Sequence, residues 1–520
     1  VDANVLTPGV DHGSLIHAVG QEPGTHKNRG AGSGTPESFL LDIYGMHTKE
    51  SPMQKFIILH SNDIHGRIDG LARIATLVAR TRAENPGIPV LYLDGGDCEE
   101  TSQRLSNLTK GAAMYRLLHA AGCMVATIGN GGLPRYSPHV LPAYAQAARF
   151  PLLLANLRKA DGSLLEGVQA TTLLDVGACK LGVIGVSAAN LNGEAAYEQF
   201  FGLQALPIVE LVRKLATELR AQGAQVVVLL SHLGLPEDVT VAMEVGESVP
   251  LIIGAHTHNL APAGIWNGPV LIAQAGEFAQ YLGRLDLVWD GERLQTERVC
   301  VLPITADIPP SPQMQAELTA IEIDVEQMLN SVIGELAEPL DFFSHRECGT
   351  ANLLADALRA RTGARVAVVT AAMAPIGPLA AGPLKRVTLW ELCSSSANPG
   401  VVEMTGAQLQ QLVQHGLDPE LAAERSHANR GNPRGLMHLS GASVRTGQLY
   451  IGSQAVVAEQ NYTVASSDWE LGSFGGYADP VWDLRPSYEV QTIMRDVIED
   501  YIKEHSPVAV EMGRLDLALS

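Results

Sequence analysis

Two aspartates, the asparagine Asn130 and four histidines that could ligate metal stand in five short segments of this chain. They are Ser61-Asn62-Asp63-Ile64-His65, Gly95-Gly96-Asp97, Gly129-Asn130, Ser231-His232 and Gly254-Ala255-His256-Thr257-His258. Carboxylate and amide oxygens with imidazole nitrogens form a mixed donor set that suits Zn, Mn, Fe, Co or Mg. Gathered in one place, Asp63, His65, Asp97, Asn130, His232, His256 and His258 would hold two divalent cations. A cation pair lowers the pKa of water and clamps the oxygens of a phosphoryl group. The chemistry indicated is metal-dependent phosphoester hydrolysis. An Asp-x-His on its own is usually a solvated turn; the five segments in their order carry the reading.

Each segment follows a run of β-formers, at 56–59, 90–93, 125–128, 226–230 and 251–253. Side chains at the C-terminal ends of strands in an α/β sheet converge on one crevice. Helical spacing fills the gaps: Leu71, Ile74, Leu77 and Val78 within 70–84, then Met114, Leu117 and Leu118 within 111–121. A third helix is expected at 207–222, with Gly223 as its C-cap. The runs 270–275 and 282–289 read as closing strands. The stretch 309–336 reads as one polar helix, with Leu318, Ile321, Ile323, Val325, Met328 and Leu329 along it.

A chain of 520 residues is too long for one ordinary core, so two domains and a tail are expected. It is 46% hydrophobic and 18% charged, a globular composition, and no run of eighteen apolar residues suggests a membrane span. The formal net charge of −20 argues against a nucleic-acid partner. It leaves a small nucleotide open, because bound cations reverse the sign locally. No motif sets an oligomeric state. The six cysteines show no metal-finger spacing. Cys123, Cys179 and Cys300 are expected as buried free thiols, and Cys98, next to Asp97, as packing beside the site. The 1–52 stretch, rich in Gly, His, Pro, Ser and Thr, reads as a poorly ordered extension whose His12, His17 and His26 lack ligand spacing. Val1 opens no basic-then-apolar leader. Together with free thiols this favours a cytoplasmic setting, with an exported one the alternative if a leader has been removed.

The five segments resemble those of the calcineurin-like metallophosphoesterases, and within them the two-domain 5′-nucleotidase family. Further stretches carry the resemblance from about Lys55 onward: 274–276, 281–285, Arg346-Glu347-Cys348-Gly349-Thr350-Ala351-Asn352, 387–392, 402–409 and 462–469. The resemblance implies a four-layer α/β/β/α sandwich at 53–305, a linker helix at 306–334 and a smaller α/β substrate-binding domain at 335–520, after the extension at 1–52. It implies Asp63, His65 and His258 on one cation and Asn130, His232 and His256 on the other. Asp97 would bridge them and hold the attacking water, which leaves Asp97 and Asn130 as the catalytic remnant. The substrate would be a small phosphoester, a nucleotide or a relative of one, with Arg346 and Trp469 contacting it.

The departures matter as much. The family reads Gly-Asn-His-Glu after the third strand, with an Asp three residues beyond the His. That His helps the leaving oxygen depart. Here Gly131 stands for the His and Pro134 for the Asp, so the ligand stays and the acid pair is gone. A positioned general acid is worth roughly 10²- to 10⁴-fold in rate. Arg67, Arg135, Tyr136 and His139 are the local side chains that could stand in. The nucleotide pocket is also thinned: 370–375 lacks the family's arginine, 394–398 lacks its aromatic, and Phe474-Gly475-Gly476-Tyr477 lacks its Asp. Arg425, His427, Arg430 and Arg434 form a basic patch, expected as a solvated loop with an anion pocket as the alternative. Three functions stay open: a nucleotidase-type hydrolase, a phosphodiesterase with altered substrate choice, and a non-catalytic metal- and anion-binding protein.

Overall fold

The computed structural model describes residues 53–189, 196–395, 397–425, 432–472 and 476–516. The extension at 1–52 with its histidines, and His427 and Arg430 of the basic patch, lie outside the described residues.

Two six-stranded sheets build the first domain. In the first, the strands run Leu294–Pro303, Tyr281–Trp289, Gln54–Ser61, Val90–Asp94, Val125–Thr127, Leu152–Leu153 across the sheet. In the second the order is Ile265–Asn267, Val270–Ala273, Leu251–Gly254, Val226–His232, Lys180–Ser187, Thr171–Asp175. The inner strands of both are parallel. Phe56, Ile58, Leu91 and Leu93 of the first sheet share one buried core with Val226, Val228, Leu230 and Ile253 of the second, so the sheets lie face to face. The alternate residues point away. Ile57, Leu59 and Tyr92 pack under the helices Ile68–Glu84 and Ala112–Ala120, and Val227, Leu229 and Ile252 under Ile208–Ala221 and Leu235–Val245. Both faces of the inner strands are buried, which is why those strands read as unbroken apolar runs rather than alternating ones. The layers are helix, sheet, sheet, helix, as expected.

Register lines up the strand ends. Ser61 pairs with Asp94, and Gly254 with Ser231. The loops that leave these positions therefore start from one edge of the sandwich.

The expected helix at 309–336 is shorter. It spans Pro312–Asn330, and Val332–Leu336 is a strand paired antiparallel with Gly382–Lys385. β-Branched Val332 and Ile333, and Gly334, favour that extended stretch over another helical turn. The helix is not solvated all round either. Met314, Ile321, Val325 and Leu329 bury one face in the first domain's core, and Arg116 pairs with Glu317 and Asp324 along it. Ile323 points to solvent.

The second domain has a five-stranded sheet in the order Met437–Ser440, Val366–Thr370, Asn461–Ser467, Pro399–Thr405, Ser487–Tyr488. Helices Gly349–Thr362 and Met494–His505 share a core with Ala367, Val369 and Ala465 on one face. Helix Gly406–Gly416 packs with Val366, Val368 and Val464 on the other. All six cysteines are free thiols; Cys98, Cys123 and Cys179 are buried, but Cys300, on an outer strand of the first sheet, is only half-buried. Among the described residues, no helix is long and apolar enough to cross a membrane.

Candidate metal centre

The loops after four strands bring the donors together. Nε2 of His258 lies 3.3 Å from Asp63 Oδ1 and 3.3 Å from His65 Nε2. Nε2 of His232 lies 3.2 Å from Asp97 Oδ2 and 3.1 Å from Asn130 Oδ1. Two overlapping groups result, Asp63 with His65 and His258, and Asp63 with Asp97 and His232. Asp97 Oδ2 also reaches to 4.0 Å from His65, so both carboxylates stand between the histidines of the two groups. His256 sits beside His232, their ring centres 5.3 Å apart.

Each histidine of these groups has its far nitrogen turned to an oxygen, within hydrogen-bond reach for His232 and His258. Nδ1 of His232 is 2.8 Å from the Gly95 carbonyl oxygen. Nδ1 of His65 faces Glu100 at 3.7 Å, and Nδ1 of His258 meets Glu277. An acceptor on Nδ1 fixes the tautomer and leaves Nε2 with a lone pair for a cation. Asn62 does the same for Asp63. Its amide nitrogen donates to Asp63 Oδ2 at 2.8 Å and to the Gly276 carbonyl at 2.6 Å, and its oxygen accepts from Ala275 N at 2.9 Å. Glu100 and Glu277 were not singled out from sequence; Glu100 follows the Asp97 segment closely, and Glu277 directly follows the 274–276 stretch that carries the resemblance.

The backbone is bent to the same end. Asp63, His65, Asp97, His256 and His258 have φ between 47° and 73°. Non-glycine residues rarely adopt that conformation, and where they cluster it marks a functional site. Two glycines permit the close approach. A Cβ on Gly96, at φ 95°, would strike Gly129 N and His232, and one on Gly129 would strike the Asp97 carboxylate.

Charge is compressed here. Burial acts to raise the Asp97 pKa, but His232 and His65 outweigh it and hold the carboxyl at about 2. Burial likewise acts to lower His232, yet Asp97 and Asp63 lift it to about 10. Buried carboxylates and buried or half-buried imidazoles that converge on one space through oxygen and Nε2 fit divalent cations by ligand type and orientation.

Comparison with known proteins agrees. Residues 332–479 match the family described as 5′-nucleotidase, C-terminal domain. An uncharacterized metallophosphoesterase of Bacillus subtilis, YunD, is 26% identical over 405 residues, spanning 76% of this chain and 86% of that protein. An apyrase of Tabanus yao is 22% identical over 532 residues, spanning 88% and 93%. This chain is a relative of the 5′-nucleotidases. The structure of the Haemophilus influenzae NAD nucleotidase is similar in fold, with a TM-score of 0.53 at 12% identity over 89% of this chain and 99% of that one.

In this 5′-nucleotidase relative, Gly131 leaves an opening beside the centre. Its N–H donates to Asp97 Oδ1 at 2.7 Å and the residue is exposed. Of the side chains named as stand-ins, Arg67 stacks on Phe278 at 4.6 Å, Tyr136 reaches Asn107 at 3.4 Å, and His139 is exposed. Nothing in the residue pattern marked Glu99, a fully buried carboxyl under Gly132 that accepts from Tyr115 at 3.1 Å. Burial first, then Asp97, raise its pKa to about 7.

The second-domain residues lie apart. Arg346 is exposed, stacks on Phe343 at 3.6 Å and faces Asp341 at 3.8 Å within its own domain. It lines a cavity of about 1240 Å³ with Glu347, Arg425 and Leu436, and Trp469 is not on that lining. Trp469 packs between the two cores of the second domain, 6.0 Å from the Arg434 guanidinium. Arg434 is not the solvated loop residue expected: it is 9% exposed and pairs with Glu424 at 2.7 Å.

Proposed function

We propose that this protein is a dinuclear metallophosphoesterase of the 5′-nucleotidase type that hydrolyses a nucleotide or a related small phosphoester. The convergence of three histidine Nε2 atoms on Asp63 and Asp97 carries the reading. Asp63, His65 and His258 would hold one ion, and Asn130, His232 and His256 the other. Asp97 is the proposed bridge, since its Oδ2 faces His232 on one side and His65 on the other. When bound, two divalent ions supply an activated water and a positive clamp for the phosphoryl oxygens.

The chain's own residues do the positioning. Glu100, Glu277 and the Gly95 carbonyl orient the imidazoles, and Asn62 orients Asp63. With Gly131 and Pro134 in place of the acid pair, no side chain at those positions delivers a proton to the leaving oxygen. That absence favours a second reading, a phosphodiesterase working on esters whose leaving groups need little protonation.

Turnover of AMP, a cyclic nucleotide, p-nitrophenyl phosphate and bis-p-nitrophenyl phosphate by Mn²⁺-loaded protein tests both. Activity on the activated esters, lost in Asp97→Ala, is the expected result. A preference for the diester over both monoesters selects the second reading. Two bound ions with no turnover of any ester would instead leave a metal- and anion-binding protein.

A further inference from the structure

The second domain holds an arginine that its own fold does not use. Arg495 stands in the first turn of the helix Met494–His505 and is 7% exposed. Its guanidinium lies 3.5 Å from the centre of the Trp390 ring. Its Nε is buried with no hydrogen-bond partner, and the residue makes no ion pair among the described residues. The other part-buried arginines of this domain behave differently. Arg361 is held by Glu489 and Asp500, Arg386 by Glu499, and Arg514 by Asp356. A cation–π contact returns less than the desolvation of an unpaired guanidinium costs, so stacking on Trp390 does not account for the burial. Asp496 and Glu499 are within electrostatic reach, but neither is paired with Arg495 at ion-pair distance among the described residues, and Glu499 is already committed to Arg386 and Lys503.

The stack lies where the two domains meet. Trp390 packs against the first domain's core. Arg135 and Tyr136, on the short helix that follows Asn130 and Gly131, lie within electrostatic reach of Arg495. On the other side, the start of the Arg495 helix abuts the 394–398 stretch. Met494 N–H donates to the Ala397 carbonyl at 3.1 Å, and the Asn398 side chain donates to the carbonyls of Val490 and Thr492 at 3.0 and 2.7 Å. Cys393 Sγ, one residue before that stretch, faces the Met373 carbonyl at 3.6 Å, which brings the 370–375 segment to the same place. These are the two stretches that carry neither an arginine nor an aromatic ring.

We propose that Arg495, held flat on Trp390, is an anchor for an anionic group of the substrate, a phosphoryl or carboxylate group taken by the two terminal amino groups of the guanidinium. The planar fork matches a pair of anionic oxygens, and the stacked indole fixes its plane before the ligand arrives. The anchor deepens the phosphoesterase reading, on which the ligand's identity as substrate rests; anion binding itself does not depend on it.

The test is equilibrium titration of chelator-stripped, metal-free protein with inorganic phosphate and with succinate. Wild type, Arg495→Gln, Arg495→Lys and Trp390→Leu are compared, and thermal unfolding is followed in parallel. Wild type binds at least one of the two anions. Arg495→Gln weakens that binding ten- to a hundred-fold, and Arg495→Lys keeps the charge but only part of the affinity. Preference for phosphate or for succinate tells the phosphoryl source from the carboxylate one. Without anion, Arg495→Gln unfolds at or above the wild-type temperature, because no partner is lost; the bound anion then raises Tm in wild type and not in the variant. Failure of wild type to bind either anion, or an Arg495→Gln protein with lowered Tm and unchanged anion affinity, overturns the proposal. Since the metals are absent throughout, lack of esterase turnover elsewhere leaves this result standing, and the reverse holds too.

Discussion

Nδ1 of His258 meets the carboxylate of Glu277, and that contact aims Nε2 of His258 at Asp63. The pair sits on two separate loops, about a third exposed, so its direct worth to stability is small. Its effect belongs on the metal. Glu277→Ala should weaken the ion shared by Asp63, His65 and His258 by about 10- to 100-fold, while Glu277→Gln keeps much of the affinity. Competition against a chromogenic chelator measures this. Equal metal affinity in all three proteins would show that Glu277 orients nothing.

Removal of a shared carboxylate should cost more metal than removal of one histidine. Asp97→Ala is expected to lose both ions, and His258→Ala mainly one, by elemental analysis after Mn²⁺ loading and desalting. Asp63 borders both donor groups, so Asp63→Ala in the same assay decides which carboxylate is the bridge.

The Gly131 position can be refilled. A Cβ there would sit 3.2–3.4 Å from the Asp97 carboxylate, tight but open to adjustment of a few tenths of an ångström. Gly131→His with Pro134→Asp should raise turnover of AMP by about ten- to a thousand-fold and of bis-p-nitrophenyl phosphate much less. An equal gain on both esters would mean that the new side chains act on binding rather than on the leaving group.

Gly129 tolerates no such change. Because its Cβ would enter the Asp97 carboxylate and backbone, Gly129→Ala should abolish tight metal binding and lower stability by about 1–3 kcal/mol, the usual toll of forced overpacking. Denaturant melts and metal analysis of the same sample report both effects.

His438 sets an acid limit on the second domain. It is fully buried, its Nε2 accepts from Cys348 N–H at 3.0 Å and its Nδ1 faces the Leu436 carbonyl at 2.9 Å. Burial pushes its pKa from 6.5 down to about 4. The unfolded chain therefore takes up a proton first as pH falls, and stability is lost between about pH 6.5 and 4, by up to roughly 3 kcal/mol. Above pH 6.5 both states are neutral and the contribution is flat. Urea melts from pH 7.5 to 4.5 should show this slope, and His438→Gln should flatten it.

Much of the first domain was legible in the chain. Strands with both faces buried must be apolar at every position, so 56–59, 90–93, 226–230 and 251–253 announced themselves, and the candidate donors follow each run within a few residues. The helix at 309–336 was misread at its end because Val332 and Ile333 continue an apolar pattern that suits a strand as well as a helix; pairing with Gly382–Lys385 decided between them. Arg434 was misplaced because charge in a sequence gives no sign of depth.

Sequence by itself supplied the residue types of the candidate donors, their order, a glycine at 131 where the resemblance expects an acid, and the family resemblance, since all of these are local chemical identities. Tertiary structure alone decided that Glu100 and Glu277 face His65 and His258, that Glu99 lies buried under Gly132, that Arg346 and Trp469 do not share one cavity, and that Arg495 is stacked on Trp390 with no ion pair among the described residues. The physical reason is range. Ligand type and backbone pattern are properties of neighbouring residues. Partner, burial and field are set by segments that are separate in the chain, from about twenty to more than a hundred residues apart, and meet only when the sheets and domains close.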